Sequence, residues 1–184
     1  MLEVAYIHRD AAAGTFHVYT HCVWAVPYLY RDESDRAEFL RHLARVTSDM
    51  GWTCIAYCLM TSHYHLIVRV ADGVLPRAMH SLNLAYALHH NRRHGLRGHV
   101  QFRRYGSRRI DEAGDLLERF RYVARNPVEA GLCSSPVDWT WSSYAGTVGM
   151  AELSSFVDPT PLLEACARPW ADPRALLQAS VERA

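Results

Sequence analysis

The chain has no lysine, and it has few cysteines and no long apolar run. Because no stretch of about 18 uncharged apolar residues occurs, no membrane span is expected. The five cysteines are odd in number and irregularly spaced, which argues against a disulfide framework and favours thiols in a reducing compartment. The first residues, Met1 to Val4, include an acid and no basic cluster, so no secretory signal is expected.

Acidic residues are absent between Gly73 and Ile110, although the net charge of the whole chain is only +1. Guanidinium groups bind phosphate in a bidentate way. A segment that is rich in arginine, has no acidic residue and contains aromatic residues therefore favours nucleic acid as the binding partner. The alternative is a solvated basic face. The segment carries eight arginines: Arg77, Arg92, Arg93, Arg97, Arg103, Arg104, Arg108 and Arg109.

The hydrophobic pattern predicts one α+β domain. Strands and helices are predicted in the order β-α-β-β-α-β, followed by a further helix that Pro127 stops. This order is typical of a ferredoxin-like or RRM-like antiparallel sheet with helices on one face. Residues 1–148 would form this domain, and residues 149–184 an irregular tail packed on it. The predicted strands span 15–26, 52–59, 63–70 and 100–110, and the helices 32–49, 75–94, 111–125 and, in the tail, 172–181.

Two histidines, His63 and His65, lie one residue apart in the third predicted strand. Side chains alternate between the faces of a strand, so both imidazoles point the same way and Tyr64 points the other way. Two imidazoles on a stiff element could form half of a divalent-metal site. A structural role for the pair is the competing interpretation.

Tyr122 and Asn126 are four residues apart at the end of the third predicted helix, the last of the core, where they would share a face. If that face packs over the two histidines, two imidazoles and an amide oxygen would suit Mg²⁺ or Mn²⁺. The metal would polarise a scissile phosphate, and the tyrosine could attack phosphorus. Because Asn126 precedes Pro127, the helix is expected to end near Arg125 with Asn126 as its cap.

Three blocks of the sequence together resemble the single-tyrosine HUH transposases, and the last two resemble the branch called REP-associated tyrosine transposases. The blocks are Ala56-Tyr57-Cys58-Leu59-Met60-Thr61-Ser62-His63-Tyr64-His65-Leu66-Ile67, Arg121-Tyr122-Val123-Ala124-Arg125-Asn126-Pro127-Val128-Glu129-Ala130-Gly131-Leu132 and Trp141-Ser142-Ser143-Tyr144. The similarity covers roughly residues 15–146. This chain has Ser62 where the commoner family form has asparagine or aspartate before the first histidine.

The resemblance implies a DNA transposase with His63 and His65 as metal ligands, Asn126 as the third ligand or a metal-proximal group, and Tyr122 as nucleophile. It implies Mg²⁺ or Mn²⁺ as cofactor. The substrate would be single-stranded DNA near a hairpin, cut to a 5′-phosphotyrosine and a free 3′-hydroxyl. A bacterial, cytoplasmic and nucleoid-associated protein is expected, with a homodimer as one option. Residues expected to contact DNA are Arg92, Arg93, Arg97, Arg103, Arg104, Tyr105, Arg108 and Arg109.

Two other functions stay open from the sequence. The same fold could serve as a domesticated protein that binds or processes DNA hairpins with little or no transposition. A phosphodiesterase that uses activated water would not need Tyr122. Among the other tyrosines, Tyr86 and Tyr144 are expected to be structural. The histidines His89, His90, His94 and His99 are interpreted as a basic helix end near phosphate rather than as a second metal cluster.

Overall fold

The computed structural model describes residues 12–21, 28–96 and 105–182. Four strands and six helices occur in this part of the chain, together with a short 3-10 turn at Pro136–Asp138. The strands are β1 (Gly14–His21), β2 (Thr53–Leu59), β3 (His63–Val70) and β4 (Gly106–Ile110). The helices are α1 (Glu33–Met50), α2 (Val74–His94), α3 (Ala113–Glu129), α4 (Tyr144–Thr147), α5 (Thr160–Cys166) and α6 (Pro173–Glu182).

The strands form one antiparallel sheet in the order β2-β3-β1-β4. The two central strands are therefore β1 and β3, and β2 and β3 form the expected hairpin. This is the predicted ferredoxin-like arrangement. The fourth strand is shorter than expected, since β4 begins at Gly106, and the predicted residues 22–26 and 100–104 lie outside the described residues.

Helices α1 and α2 cover one face of the sheet. Strand residues such as Phe16, Leu66 and Val68 are fully buried against them. The face of α2 that the periodicity predicted is buried along its whole length: Leu75, Met79, Leu82 and Tyr86. Asp32 caps α1 by accepting the Asp35 N–H at 3.0 Å. Both helices end at a glycine in the left-handed region, Gly51 and Gly95.

The other face of the sheet is covered by α3 and the C-terminal segment, so the expectation of helices on one face holds only for α1 and α2. Ile67 and Ile110 of the sheet join Phe120 of α3 in a second core cluster. Leu162 of α5 and Leu177 of α6 are completely buried in this same cluster. The tail is therefore not irregular: it forms short helices that complete the second half of the core.

Helix α3 does not stop before Pro127 as predicted but continues to Glu129. Proline lacks an N–H and so removes one bond to the carbonyl four residues earlier, a small loss in the last turn of a helix. Pro127 is buried, and its carbonyl accepts the Leu132 N–H at 2.9 Å. Gly131, at φ 70°, donates its N–H to Val128 at 2.9 Å, which completes a Schellman ending.

Cys54 and Cys58 belong to different cores. The register of β2 against β3 shifts between Cys54 and Ala56, so the two thiols face opposite sides of the sheet. Both side chains are fully buried, and the four cysteines within the described residues are free thiols. No helix in the described ranges is both long and apolar enough to span a bilayer.

Candidate functional site

His63 and His65 lie on the sheet face that α3 covers. They are the first and third residues of β3, and the intervening Tyr64 is buried on the opposite face, where its hydroxyl donates to Asn83 of α2 at 2.7 Å. The ring centroids of the two histidines are 5.0 Å apart and their planes are nearly perpendicular. The predicted alternation of the His-x-His motif is thus confirmed, and the pair converges on one region.

A third histidine, His17 of the neighbouring strand β1, contacts the pair. Nε2 of His17 lies 3.0 Å from Nδ1 of His65, and both side chains are almost completely buried. Burial, together with the positive charges of Arg119 and Arg108, lowers the pKa of His17 to about 3. His17 is therefore a neutral imidazole at physiological pH, able to hold one tautomer of His65.

Both histidines of the motif are held through the same ring nitrogen. The Oγ of Ser62 lies 3.2 Å from Nδ1 of His63, as His17 does from Nδ1 of His65. A histidine that is oriented through Nδ1 presents Nε2 to a metal, and such supporting hydrogen bonds are the usual companions of metal ligands. Ser62, the departure from the commoner family motif, thus supplies a polar contact to the first histidine.

Tyr122 of α3 lies over the histidines of its own chain. Its ring is 5.5 Å from the His65 ring and 5.9 Å from the His17 ring, edge to face in both cases. The guanidinium of Arg119, one helical turn earlier, lies 5.5 Å from the centre of the Tyr122 ring. The tyrosine side chain is 41% exposed, so a substrate can reach it. Asn126, half-buried, follows one turn later on the same side of α3.

The predicted DNA contacts separate into several groups. Arg108 is exposed on the site face, opposite His17 in the register, and Arg109 lies on the other face. There the Arg109 guanidinium stacks on Phe16 and donates to Asp111 at 2.7 Å. Tyr105 is partly buried against the core under α1 and α2. Arg97, Arg103 and Arg104 lie outside the described residues.

Two arginines at the end of α2 differ in their surroundings. Arg92 is exposed. Arg93 binds Asp32, with its Nη2 2.7 Å from Oδ2, and also binds Asp35. A DNA contact by Arg93 stays a prediction, and this ion-pair network already occupies the guanidinium within the chain.

The sequence analysis missed His17 and Arg119. His17 and Tyr19 are two residues apart along β1, as His63 and His65 are along β3, so the spacing already indicated a second pair of polar rings on one face of a strand. The contribution of His17 to the site can be recognised only once the strand register is known. The register pairs Tyr19 with His65 and so brings His17 beside His63 and His65. Arg119 precedes Tyr122 by three residues, a helical spacing that the charge pattern could have indicated.

The other tyrosines behave as expected. Tyr86 is fully buried and its hydroxyl donates to the Leu29 carbonyl at 2.8 Å. Tyr144 is buried and its hydroxyl donates to Glu182 at 3.2 Å. Both are structural. Two tyrosine rings contact His65, Tyr122 at 5.5 Å and Tyr19 of β1 at 6.4 Å, and Tyr122 is the more exposed of the two.

Comparison with known proteins gives two findings. The family model described as "Transposase IS200 like" matches residues 14–126, which include every residue of the site. The solved structure described as a REP-associated tyrosine transposase bound to a REP hairpin superposes with a TM-score of 0.62 at 18% identity, covering 86% of this chain and 93% of that one. No curated protein sequence matches. With more than half of its length matched, this chain belongs to the family of IS200-like transposases.

Proposed function

We propose that this protein is a DNA strand transferase that cuts and rejoins single-stranded DNA through Tyr122. The observation that carries the proposal is the position of the exposed Tyr122 ring, 5.5 Å from the buried His65 of the same chain. A reactive phenol above a rigid pair of imidazoles combines a nucleophile with a place for a cation. The arrangement lies within one chain, which favours action in cis.

The cleavage step exchanges one phosphodiester bond for another. The Oη of Tyr122 attacks the scissile phosphorus and loses its proton, and the bond from phosphorus to the 3′-oxygen breaks. That oxygen leaves as a 3′-hydroxyl, and the DNA on the other side stays attached as a 5′-phosphotyrosine. Attack by a 3′-hydroxyl in the reverse sense rejoins the strand and restores the tyrosine, so no external energy source is required.

The side chains at His63 and His65 are suited to binding a divalent cation. Both imidazoles are oriented through Nδ1, and the amide oxygen of Asn126 would be the third protein ligand. Mg²⁺ or Mn²⁺ held there would polarise the phosphate oxygens and stabilise the charge that develops on them. The neutral His17 adds no positive charge to the site, and its Nε2 lies within hydrogen-bond distance of Nδ1 of His65, at 3.0 Å.

The positive groups around Tyr122 fit a nucleic-acid backbone. Arg108 and Arg119 both face the site closely enough to depress the pKa of His17, so both can act on a phosphate there. The structurally similar REP-associated transposase is bound to a REP hairpin, and we propose a DNA hairpin end as the substrate here too. Arg92, Arg97, Arg103, Arg104 and Tyr105 would contact the DNA beyond the scissile phosphate.

The test is a covalent adduct between the protein and labelled single-stranded hairpin DNA, resolved on a denaturing gel in the presence of Mn²⁺. Wild type is expected to form the adduct and Tyr122→Phe to form none, while Tyr28→Phe, at another exposed tyrosine, keeps wild-type levels. Cleavage that survives Tyr122→Phe would support activated water instead. Hairpin binding without cleavage under Mg²⁺ or Mn²⁺ would assign the protein to the domesticated binders.

A further inference from the structure

A second cluster of metal-ligating side chains lies where the start of α1 meets the end of α2. Asp35 comes from the first turn of α1, and His90 and His94 come from the last turns of α2. One ligand atom from each lies within 4.8 Å of the others. Since α1 and α2 cover the sheet face that carries Tyr64, this cluster is on the opposite side of the sheet from His63 and His65.

The two histidines have the spacing that helices use for metal binding. Residues four apart share a helix face, and pairs of this kind bind zinc on helices. The ring centroids of His90 and His94 are 4.4 Å apart. Nε2 of His94 is 3.0 Å from both carboxylate oxygens of Asp35, and Nε2 of His90 is 4.0 Å from Oδ2 of the same carboxylate.

His90 is the residue whose chemistry the fold leaves unexplained. Its side chain is 1% exposed, and neither ring nitrogen has a hydrogen-bond partner among the described residues. A buried polar group without a partner costs roughly 1–3 kcal/mol, so such positions call for a ligand. Burial and the neighbouring His94 lower the pKa of His90.

The surroundings of Asp35 favour the ionised carboxylate, which is the form that binds a cation. Burial alone would raise its pKa, but the Arg31 N–H, the Arg93 guanidinium and His94 all donate to the carboxylate and bring the pKa below its usual value. The Arg93 guanidinium binds Oδ1 of Asp35, and Nε2 of His94 lies 3.0 Å from the same oxygen. Oδ2, which accepts the Arg31 N–H at 2.8 Å, is the oxygen nearest to His90.

We propose that Asp35, His90 and His94 bind a first-row transition-metal ion, with Zn²⁺ as the best match, at a structural site separate from the proposed catalytic cation. Two imidazoles and one carboxylate suit zinc, whereas Mg²⁺ prefers oxygen ligands. The ion would replace the hydrogen bond between His94 and Asp35 with two coordinate bonds. It would also satisfy the buried His90 and fasten the start of α1 to the end of α2.

The experiment measures Zn²⁺ stoichiometry and affinity of the full-length chain after metal removal, with Co²⁺ absorption as a probe of tetrahedral geometry. The double variant His63→Ala, His65→Ala removes the catalytic pair and is expected to keep one tight Zn²⁺ and a Zn²⁺-dependent rise in melting temperature. Adding His90→Ala should weaken Zn²⁺ binding at least tenfold and abolish that rise. His89→Ala, a neighbouring histidine paired with Glu38 instead, is the control and should change neither.

If His90→Ala does not fold, His94→Gln provides the same comparison at a more exposed ligand. The proposal is overturned if the double variant His63→Ala, His65→Ala binds no Zn²⁺. It is also overturned if the ligand variants bind Zn²⁺ as tightly as their parent. Neither outcome concerns the DNA adduct of Tyr122, so the two proposals fail independently.

Discussion

At the residue scale, the site shows what alternation along a strand can and cannot reveal. The shared orientation of His63 and His65 follows from their spacing alone, and the structure confirms it. The role of His17 depends on which strands are neighbours and in which register, and that information is set by packing between residues 48 positions apart. A single sequence therefore reveals which side chains share a face of one strand, but it does not reveal which strands are neighbours or in which register they pair.

We expect His17 to position His65 and not to react itself. His17→Phe keeps a ring of similar size but removes the nitrogen that lies 3.0 Å from Nδ1 of His65, so the proposed catalytic cation should bind 10- to 100-fold more weakly, the usual cost of losing such a support. His17→Gln retains a hydrogen-bonding group and should restore part of the affinity. The measurement is Mn²⁺ binding followed by electron paramagnetic resonance.

The control for this prediction is His80→Phe, at an exposed histidine of α2. Unchanged Mn²⁺ affinity in His17→Phe would mean that His17 only fills space. Equal losses in the Phe and Gln variants would contradict a role through hydrogen bonding.

Arg108 and Arg109 provide a matched pair at adjacent positions. Arg108 faces the site, whereas Arg109 faces the other side and is paired with Asp111. Each phosphate contact on a single strand contributes about 0.7 to the slope of log K against log salt. Arg108→Gln should weaken hairpin binding and lower that slope by about 0.7, and Arg109→Gln should leave it unchanged. A salt titration of binding by fluorescence anisotropy distinguishes the two, and equal effects would contradict the assignment of faces.

At the element scale, the sequence predicted the long elements well and one ending badly. Helices α1 and α2 begin and end close to the predicted residues, because Asp32, Gly51 and Gly95 are local signals that act within one turn. The predicted end of α3 is wrong because Pro127 does not stop the helix, which continues to Glu129. A proline in the last turn removes only one hydrogen bond, and the ring of Pro127 is buried.

The ending of α3 can be tested with two glycines of similar surroundings. Gly131 has φ 70°, which costs an L-residue about 1 kcal/mol, so Gly131→Ala should lower the free energy of unfolding by about that amount. Gly114 lies in the first turn of the same helix with open space around its Cα, and Gly114→Ala should raise it by up to about 1 kcal/mol. Urea unfolding measures both, and changes of the same sign would contradict the assigned ending.

At the scale of the whole molecule, the β-α-β-β-α-β order was sufficient to predict the sheet and its first layer. Helices α3 and α6 of the second layer match the predicted helices 111–125 and 172–181. Helices α4 and α5 were not predicted, because periodicity detects such short helices poorly and several prolines in this segment suggest irregular structure. Their packing is nevertheless extensive. Leu162, Leu177 and Val181 are buried, and the Arg125 guanidinium of α3 donates to the Val181 carbonyl at 3.1 Å.

This packing predicts that residues 149–184 unfold together with the rest of the protein as one unit. Leu177 is fully buried beneath α3, so Leu177→Ala should cost about 2–5 kcal/mol, a large share of the 5–15 kcal/mol typical of a domain. Leu88→Ala, at a leucine that is 62% exposed, should change stability by less than about 0.5 kcal/mol. Because α3 carries Tyr122, loosening the tail should also reduce adduct formation. Urea unfolding should show a single transition, shifted as a whole by Leu177→Ala. Two transitions, of which the substitution moves only one, would mean that the tail is an independent unit packed on the sheet.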